Sequence, residues 1–344
     1  MLAVLLLAAA GSAAARDWPD IEINEIVVFG DSLSDTGNVF SLTAFDPSFP
    51  VPIPVDPPWF QGRFTNGPVW HEVLSERLAV PSPVPNFQGG LNYAWGGAEY
   101  GPGFSQTGVP NVGTQIDWYL TGVPPFPFLP PQAPGTPSGD QLFVINSGNN
   151  DLIPPGPPAD PRALAESVVE HVSTLAAAGA RHFLVLPSLV DETTPGLNPP
   201  LDEALFGEVP PAGAVDVIVE NAERFNRLLR VKMLRLERQL ERALDEPVTI
   251  TYPNFALAQE IILRRPAWFG FENVSTPAVF VPDDLPPPLG PTCFCIGVVP
   301  PGVDPDRYYY FDIVHPTARA HEIFGHLALL NIEWKFAQAH RHLR

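Results

Sequence analysis

Past its first residues the chain has no apolar run approaching the roughly 18 residues that a membrane-crossing helix requires, so no integral span is expected in the mature protein. Basic residues are scarce: 19 Lys and Arg stand against 38 Asp and Glu, a formal charge of -19. A field of that sign repels phosphate backbones and anionic membrane surfaces, which argues against a nucleic-acid partner but leaves a lipid substrate open. Cysteine is nearly absent, with Cys293 and Cys295 alone. A C-x-C disulfide closes a small strained ring, so free thiols and separate pairing stay open beside it. With no histidine nearby the pair makes a poor zinc site. Internal repeats are also lacking.

What is abundant is proline. Of the 44 prolines in the 344 residues, 23 gather in 45–62, 122–139, 153–161 and 282–291, which read as stiff extended loops inside a fold and not as interdomain linkers. The start, MLAVLLLAAAGSAAARDWPD, has an apolar run and then Ala13-Ala14-Ala15 in the A-x-A cleavage pattern, without the usual basic lead-in. Residues 1–15 are therefore expected to be a truncated signal peptide, with 16–344 a single domain that is secreted or periplasmic.

Apolar β-branched runs alternate with helical patterns, the signature of βα units around a parallel sheet. Strands are predicted at 25–29, 92–95, 141–146, 182–187 and 248–252, and helices at 68–78, 114–120, 162–178, 214–244 and from Pro316 to about 337. On the long helix, Arg and Glu are interleaved at helical spacing, which predicts a solvated, salt-bridged face. The irregular segments 39–66, 98–113, 188–213 and 253–314 mostly follow strands, which puts them over the carboxyl edge of the sheet, where ligands bind in such folds.

Chemistry-bearing residues gather at the same edge. VVFGDSLSDTGN (27–38) ends a strand in a Gly turn that can hold Ser32 as a nucleophile, although Asp31, Ser32 and Ser34 are equally good helix N-caps. A serine needs a base, and His315 sits in a loop before a helix with Asp312 three residues earlier, a spacing that lets a carboxylate orient the imidazole. His71, His171 and His182 fall inside predicted elements and read as structural. Gly96-Gly97 and Gly148-Asn149-Asn150-Asp151, also at strand ends, can supply donors to an oxyanion or be ordinary turns.

Together the ordered blocks Gly30-Asp31-Ser32, Gly97 in NYAWGGA, Gly148-Asn149-Asn150-Asp151 and Asp312-Ile313-Val314-His315 resemble the GDSL esterase/lipase (SGNH hydrolase) family. GRFTNGPVWHEVL (62–74) and FGFENV (269–274) resemble its secreted, larger-loop branch. The resemblance implies a flavodoxin-like α/β/α sandwich with a five-stranded, mainly parallel sheet. It implies a triad of Ser32, His315 and Asp312, with an oxyanion hole from the Ser32 N–H, the Gly97 N–H and the Asn150 amide; the doubled glycine leaves Gly96 as the alternative to Gly97. No metal or organic cofactor is implied, and the expected partner is a small-molecule or lipid ester, taken by a monomer. The Cys spacing is narrower than the family pattern, so the loop 275–305 is expected to be built differently. Phe45, Phe49, Trp59 and Phe60 are candidates either for an acyl pocket or for loop packing, and Trp59, Trp95 and Trp118 for sugar platforms in a carbohydrate O-acetyl esterase. A transacylase would use the same residues, and a binding protein that has lost activity is the reading from another class.

Overall fold

Residues 25–30 and 141–146 are apolar on both faces, which only a strand covered from both sides tolerates. In the computed structural model, which describes residues 22–146, 148–153, 159–199, 210–280 and 296–342, they lie side by side in a parallel sheet. The strands are β1 (Glu25–Gly30), β2 (Gln141–Asn146), β3 (His182–Val185) and β4 (Thr249–Thr251), in the order β1-β2-β3-β4, all parallel. The helices are α1 (Asn38–Phe45), α2 (Trp70–Leu78), α3 (Val112–Thr121), α4 (Pro161–Ala177), α5 (Ala214–Leu244), α6 (Phe255–Arg264) and α7 (Ala318–His342). The predicted signal peptide and both cysteines lie outside the described residues. No helix among the described residues is long and apolar enough to cross a membrane.

Alternation along each strand sends its side chains to two cores. Val27 and Phe29 of β1 with Phe143 and Ile145 of β2 pack against α3, α4 and α5. Ile26, Val28, Leu142 and Val144 point the other way, onto α2, α6 and α7. The sheet is thus a middle layer between two helical layers, the α/β/α arrangement expected.

Its strand number differs from the expectation. Residues 92–95 follow the outer edge of β1, the Tyr93 N–H donating to the Val28 carbonyl (2.7 Å) and the Trp95 N–H to that of Gly30 (3.0 Å). They form an isolated bridge and not a strand, because the Asn92 side chain turns inward to donate to the Ser34 carbonyl (2.7 Å) and the glycine pair follows at once. Two helices lie in segments expected to be irregular. α1 carries no apolar stripe, and α6 begins where the Asn254 side chain accepts from the Leu257 N–H (3.3 Å). The salt-bridged face of α5 is present, with Arg227 on Glu223 at 3.0 Å.

Gly30 closes the edge strand β1 opposite Asn146 at the end of β2. A Cβ there would lie 2.1 Å from the Asn146 carbonyl oxygen, a backbone atom that cannot swing aside. Gly30→Ala is therefore expected to cost about 3 kcal/mol or more, at the upper end of overpacking losses. A urea melt of the variant checks this, and a midpoint equal to wild type would contradict the close approach.

Candidate functional site

Directly after Gly30 the chain leaves the sheet in a tight turn instead of entering a helix. The Asp31 carbonyl accepts from the N–H groups of Ser34 (3.0 Å) and Asp35 (3.1 Å), and its carboxylate accepts from Leu33 (3.1 Å). Ser32 sits on this turn, and its own N–H has no partner among the described residues. The capping alternative for Asp31, Ser32 and Ser34 does not hold: the start of α1 is bound by Asp35. Its carboxylate accepts from Gly37 (2.7 Å), Asn38 (2.6 Å) and Val39 (3.2 Å), and also from the distant Gly96 N–H (2.9 Å). From the other side Gln115, fully buried on α3, grips Gly30 with its amide, accepting from the N–H (2.8 Å) and donating to the carbonyl (2.9 Å).

The histidine arrives on a short antiparallel turn before α7. The Phe311 N–H donates to the His315 carbonyl (2.7 Å), and the Thr65 hydroxyl and Asn66 amide oxygen of the GRFTNG segment hold the Pro316 carbonyl (2.9 Å) and the Ala318 N–H (2.8 Å). Asp312 accepts from the N–H groups of Val314 (3.0 Å) and His315 (2.8 Å), and its other oxygen meets His315 Nδ1 at 2.7 Å. On the far side of the ring, Nε2 lies 2.8 Å from Ser32 Oγ. With Nδ1 protonated against the carboxylate, Nε2 is the acceptor and the serine hydroxyl the donor. The Phe64 ring lies 5.3 Å from that of His315 and fills the space where a Cβ of Gly96 would stand.

The two glycines are now distinguishable. The N–H of Gly96 is taken by Asp35, while that of Gly97 has no partner among the described residues. Gly97 also has φ +89, and a Cβ on it would meet Thr107 Oγ1 at 2.5 Å, so only glycine fits. Asn150 donates one amide hydrogen to the Ala98 carbonyl (2.9 Å), which leaves the second. Its neighbour Asn149 is oriented otherwise, its oxygen accepting from Ser188 Oγ (2.8 Å) and the Leu189 N–H (3.0 Å) and its amide donating one hydrogen to the Asp31 carboxylate (3.3 Å).

A cleft of about 490 Å³, counting its open mouth, exposes Ser32, Asn150 and His315 between apolar walls that include Leu33, Ile153 and Leu189. The aromatics that follow the nucleophile do not line it. Trp59 is buried against Phe311, with ring centroids 5.4 Å apart, and Phe45 and Phe49 face solvent. Trp95 and Trp118 are core residues on the α3 side of the sheet, so none of the three tryptophans considered as sugar platforms is available as one. His71, His171 and His182 are structural as expected, meeting the Ser34 carbonyl (2.9 Å), the Tyr100 carbonyl (2.7 Å) and Thr249 Oγ1 (2.8 Å).

Carboxylates are unusually buried around this site. Burial pushes Asp31 up to about 6 against the opposing pull of the Leu33 N–H, the Asn149 amide and the nearby His315. Burial likewise raises Asp151 to about 7; the Tyr100 N–H opposes this, and Glu99 and Asp31 add to it. His321, deep beneath the site, is driven down to about 3 by burial and by its neighbours His315 and His71, and is neutral.

The GDSL-like Lipase/Acylhydrolase family matches residues 26–328. The chain belongs to this family, and by class it is a carboxylic ester hydrolase. It is 26% identical over 312 residues to the thermolabile hemolysin of Vibrio parahaemolyticus, an alignment that spans 88% of this chain but 62% of the hemolysin. It is 25% identical over 344 residues to a GDSL esterase/lipase of Arabidopsis thaliana, covering 92% of this chain and 93% of that one. Among solved structures, a carbohydrate esterase family 2 enzyme with a carbohydrate-binding domain, from Corynascus thermopiles, aligns over 96% of this chain and 69% of its own, at 14% identity and a TM-score of 0.43. That likeness carries no argument about substrate.

Asp151 supplies a pH prediction. Its folded value, about 7, lies above the unfolded one near 3.9, so between those values the folded chain keeps a proton that the unfolded chain has lost. Stability from this group is full below about pH 4 and falls as pH rises to about 7. Asp151→Asn keeps an oxygen for the Tyr100 N–H and removes the titration. The melting temperature of the variant, relative to wild type, is expected to climb between pH 4.5 and 8, and a constant offset across that range would contradict the assignment.

Proposed function

We propose that this chain is a secreted serine esterase that hydrolyses carboxylic esters through an acyl-enzyme on Ser32. The observation that carries the reading is the relay Ser32 Oγ to His315 Nε2 at 2.8 Å and His315 Nδ1 to Asp312 at 2.7 Å, opening onto a cleft. A serine hydroxyl is a poor nucleophile until a base takes its proton, and His315 is within hydrogen-bond reach to take it. As Ser32 Oγ bonds to the ester carbonyl carbon, the proton passes to Nε2 and the carbonyl oxygen becomes an oxyanion. Asp312, held by two backbone N–H groups, keeps the imidazole in the accepting tautomer and stabilises the imidazolium that forms. His315 then protonates the leaving alkoxide, the C–O bond breaks and the alcohol departs. Water, deprotonated by the same histidine, attacks the acyl carbon, and as the bond to Ser32 Oγ breaks His315 returns the proton to the serine and the acid is released.

The oxyanion donors in this reading are the N–H of Ser32, the N–H of Gly97 and the second amide hydrogen of Asn150. What supports this choice is that the Ser32 and Gly97 N–H groups are uncommitted among the described residues while that of Gly96 is spent on Asp35, and that the Asn149 amide donates to Asp31 whereas Asn150 keeps one hydrogen beyond its bond to Ala98. Such donors, fixed before the charge develops, stabilise the transition state more than the ground state. A transacylase reading needs the same residues and differs only in the acceptor that reaches the acyl-enzyme. The apolar segment at the start of the sequence supports export.

Hydrolysis of p-nitrophenyl esters from acetate to palmitate by the purified protein tests the proposal. Ser32→Ala and His315→Ala are each expected to lose at least about 10⁴-fold in kcat. Turnover that survives in Ser32→Ala would refute the acyl-enzyme. Asn150→Ala is expected to lose about 100-fold or more in kcat with KM little changed, the mark of a donor used in the transition state. An equal loss in Asn149→Ala would move that role to the neighbouring residue.

A further inference from the structure

A continuous run of aromatic rings leads from the glycine flank of the site to the open surface. Its inner end is Trp95, fully buried and immediately before Gly96-Gly97. Against Trp95 pack Phe126 (centroids 5.3 Å) and Phe87 (6.2 Å). From there the rings continue outward: Phe126 stacks on Phe128 (5.4 Å), Phe128 on Phe45 (5.2 Å), and Phe104 meets Phe126 edge-on (5.8 Å). The outer members face solvent, with Phe45 61%, Phe104 48%, Phe128 47% and the adjoining Val123 61% exposed. They come from three separate segments, the end of α1, the loop after Gly97 and the proline-rich stretch VPPFPFLPP (123–131). Sharing one surface is therefore a property of the fold and not of a local hydrophobic run.

Apolar surface assembled in this way marks a binding face, and its charge selects the partner. Between Arg77 and Arg162 the sequence has no Lys or Arg, and α1 with the loop after it has none before Arg63. Nothing on these segments attracts an anionic surface, and a chain carrying -19 repels a second copy of itself. Exposed phenylalanine rings held at a helix end and on stiff loops suit the boundary between water and uncharged or zwitterionic lipid, where they insert without needing cations beneath them. The buried inner end of the run, Trp95, immediately precedes Gly96-Gly97, so the face is tied through the core to the loop that flanks the site.

We infer that the Phe45–Phe104–Phe128 face docks the enzyme on a neutral or zwitterionic lipid–water interface and presents its ester to the cleft beside Gly97. This rests on the esterase reading for the ester, but the docking itself is measured without catalysis. The test is co-sedimentation with phosphatidylcholine vesicles of wild type, of Ser32→Ala, and of the triple variant Phe45→Ser, Phe104→Ser, Phe128→Ser. Wild type and Ser32→Ala are expected to pellet alike, more strongly than with phosphatidylglycerol vesicles. The triple variant is expected to lose about 10-fold or more in vesicle affinity, since it removes most of the exposed apolar area of the face. It is also expected to lose hydrolysis of a vesicle-borne ester while keeping its rate on dissolved p-nitrophenyl acetate within about two-fold, because none of the three rings lines the cleft. Phe45→Ser alone, at the most exposed ring, is expected to fall between the two.

Three outcomes overturn the inference: wild type that stays in the supernatant, a triple variant that pellets like wild type, or sedimentation showing a wild-type dimer that the triple variant dissolves. The last assigns the face to a second copy. Vesicle binding that persists with no Ser32-dependent hydrolysis of any ester would sink the esterase proposal and leave the docking face standing.

Discussion

One buried carboxylate ties the site together. Asp35 gathers four backbone N–H groups, three from the start of α1 and one from Gly96. Each of those donors would otherwise be an unpaired polar group in the interior, at a cost of about 1–3 kcal/mol apiece. The arrangement does more than satisfy them. It fixes the loop after residue 95 to the turn that carries Ser32, so that the two cannot shift independently. It also consumes the N–H of one glycine in a pair and leaves that of the next, at φ +89, turned elsewhere. The identity of the free donor follows from this hydrogen bond and not from any property of Gly97 taken alone.

The sequence made some of this legible and hid the rest for physical reasons. β1 and β2 are visible because strands covered on both faces must be apolar throughout, and such runs are rare. Ser32 and His315 stand out as candidates because acyl-transfer chemistry would restrict residue type and spacing, a hydroxyl at a strand end and a histidine with an acid three residues before it, and because the ordered blocks around them resemble the family. Asp35 and Gln115 were not visible, since their roles depend on partners far along the chain. Asp35 reads as one more polar residue in a turn, and Gln115 as an ordinary helical glutamine until burial against Gly30 makes its amide an extension of the β1 edge. The only signal within reach was the short spacing from Ser32 to Asp35. α1 was hidden for a related reason: just Asn38 and Thr43 of its residues are buried, so no apolar period marks it.

The tryptophans show the same limit from the other side. Residue type suggested platforms for a ligand, but the rings of Trp95 and Trp118 sit 6.4 Å apart inside the core between α3 and the sheet. An aromatic side chain contributes so much apolar area that burial is its default, and only the exceptions carry information. The exceptions include Trp268 and Trp334, and the phenylalanines Phe45 at the end of α1 and Phe104 and Phe128 in the loops.

The Ser32–His315 contact spans elements held in different ways. Ser32 continues β1, whose Gly30 is gripped by Gln115 from the α3 side. His315 precedes α7, whose buried face packs with α2 and α6 in the other core, beneath the opposite face of the sheet. A 2.8 Å hydrogen bond between them therefore requires both helical layers to sit correctly on one sheet. The segment from Arg63 to Asn66 makes that requirement local: it clamps the histidine turn through Thr65 and Asn66, while Arg63 is paired with Glu72 of α2 at 2.7 Å. Because Glu72 also accepts from the Val69 N–H (2.9 Å), the clamp is anchored to the start of the same helix that packs on α7. Packing of α2 on α7 and placement of the His315 imidazole are thus coupled through the segment from Arg63 to Asn66, although none of its residues lines the cleft.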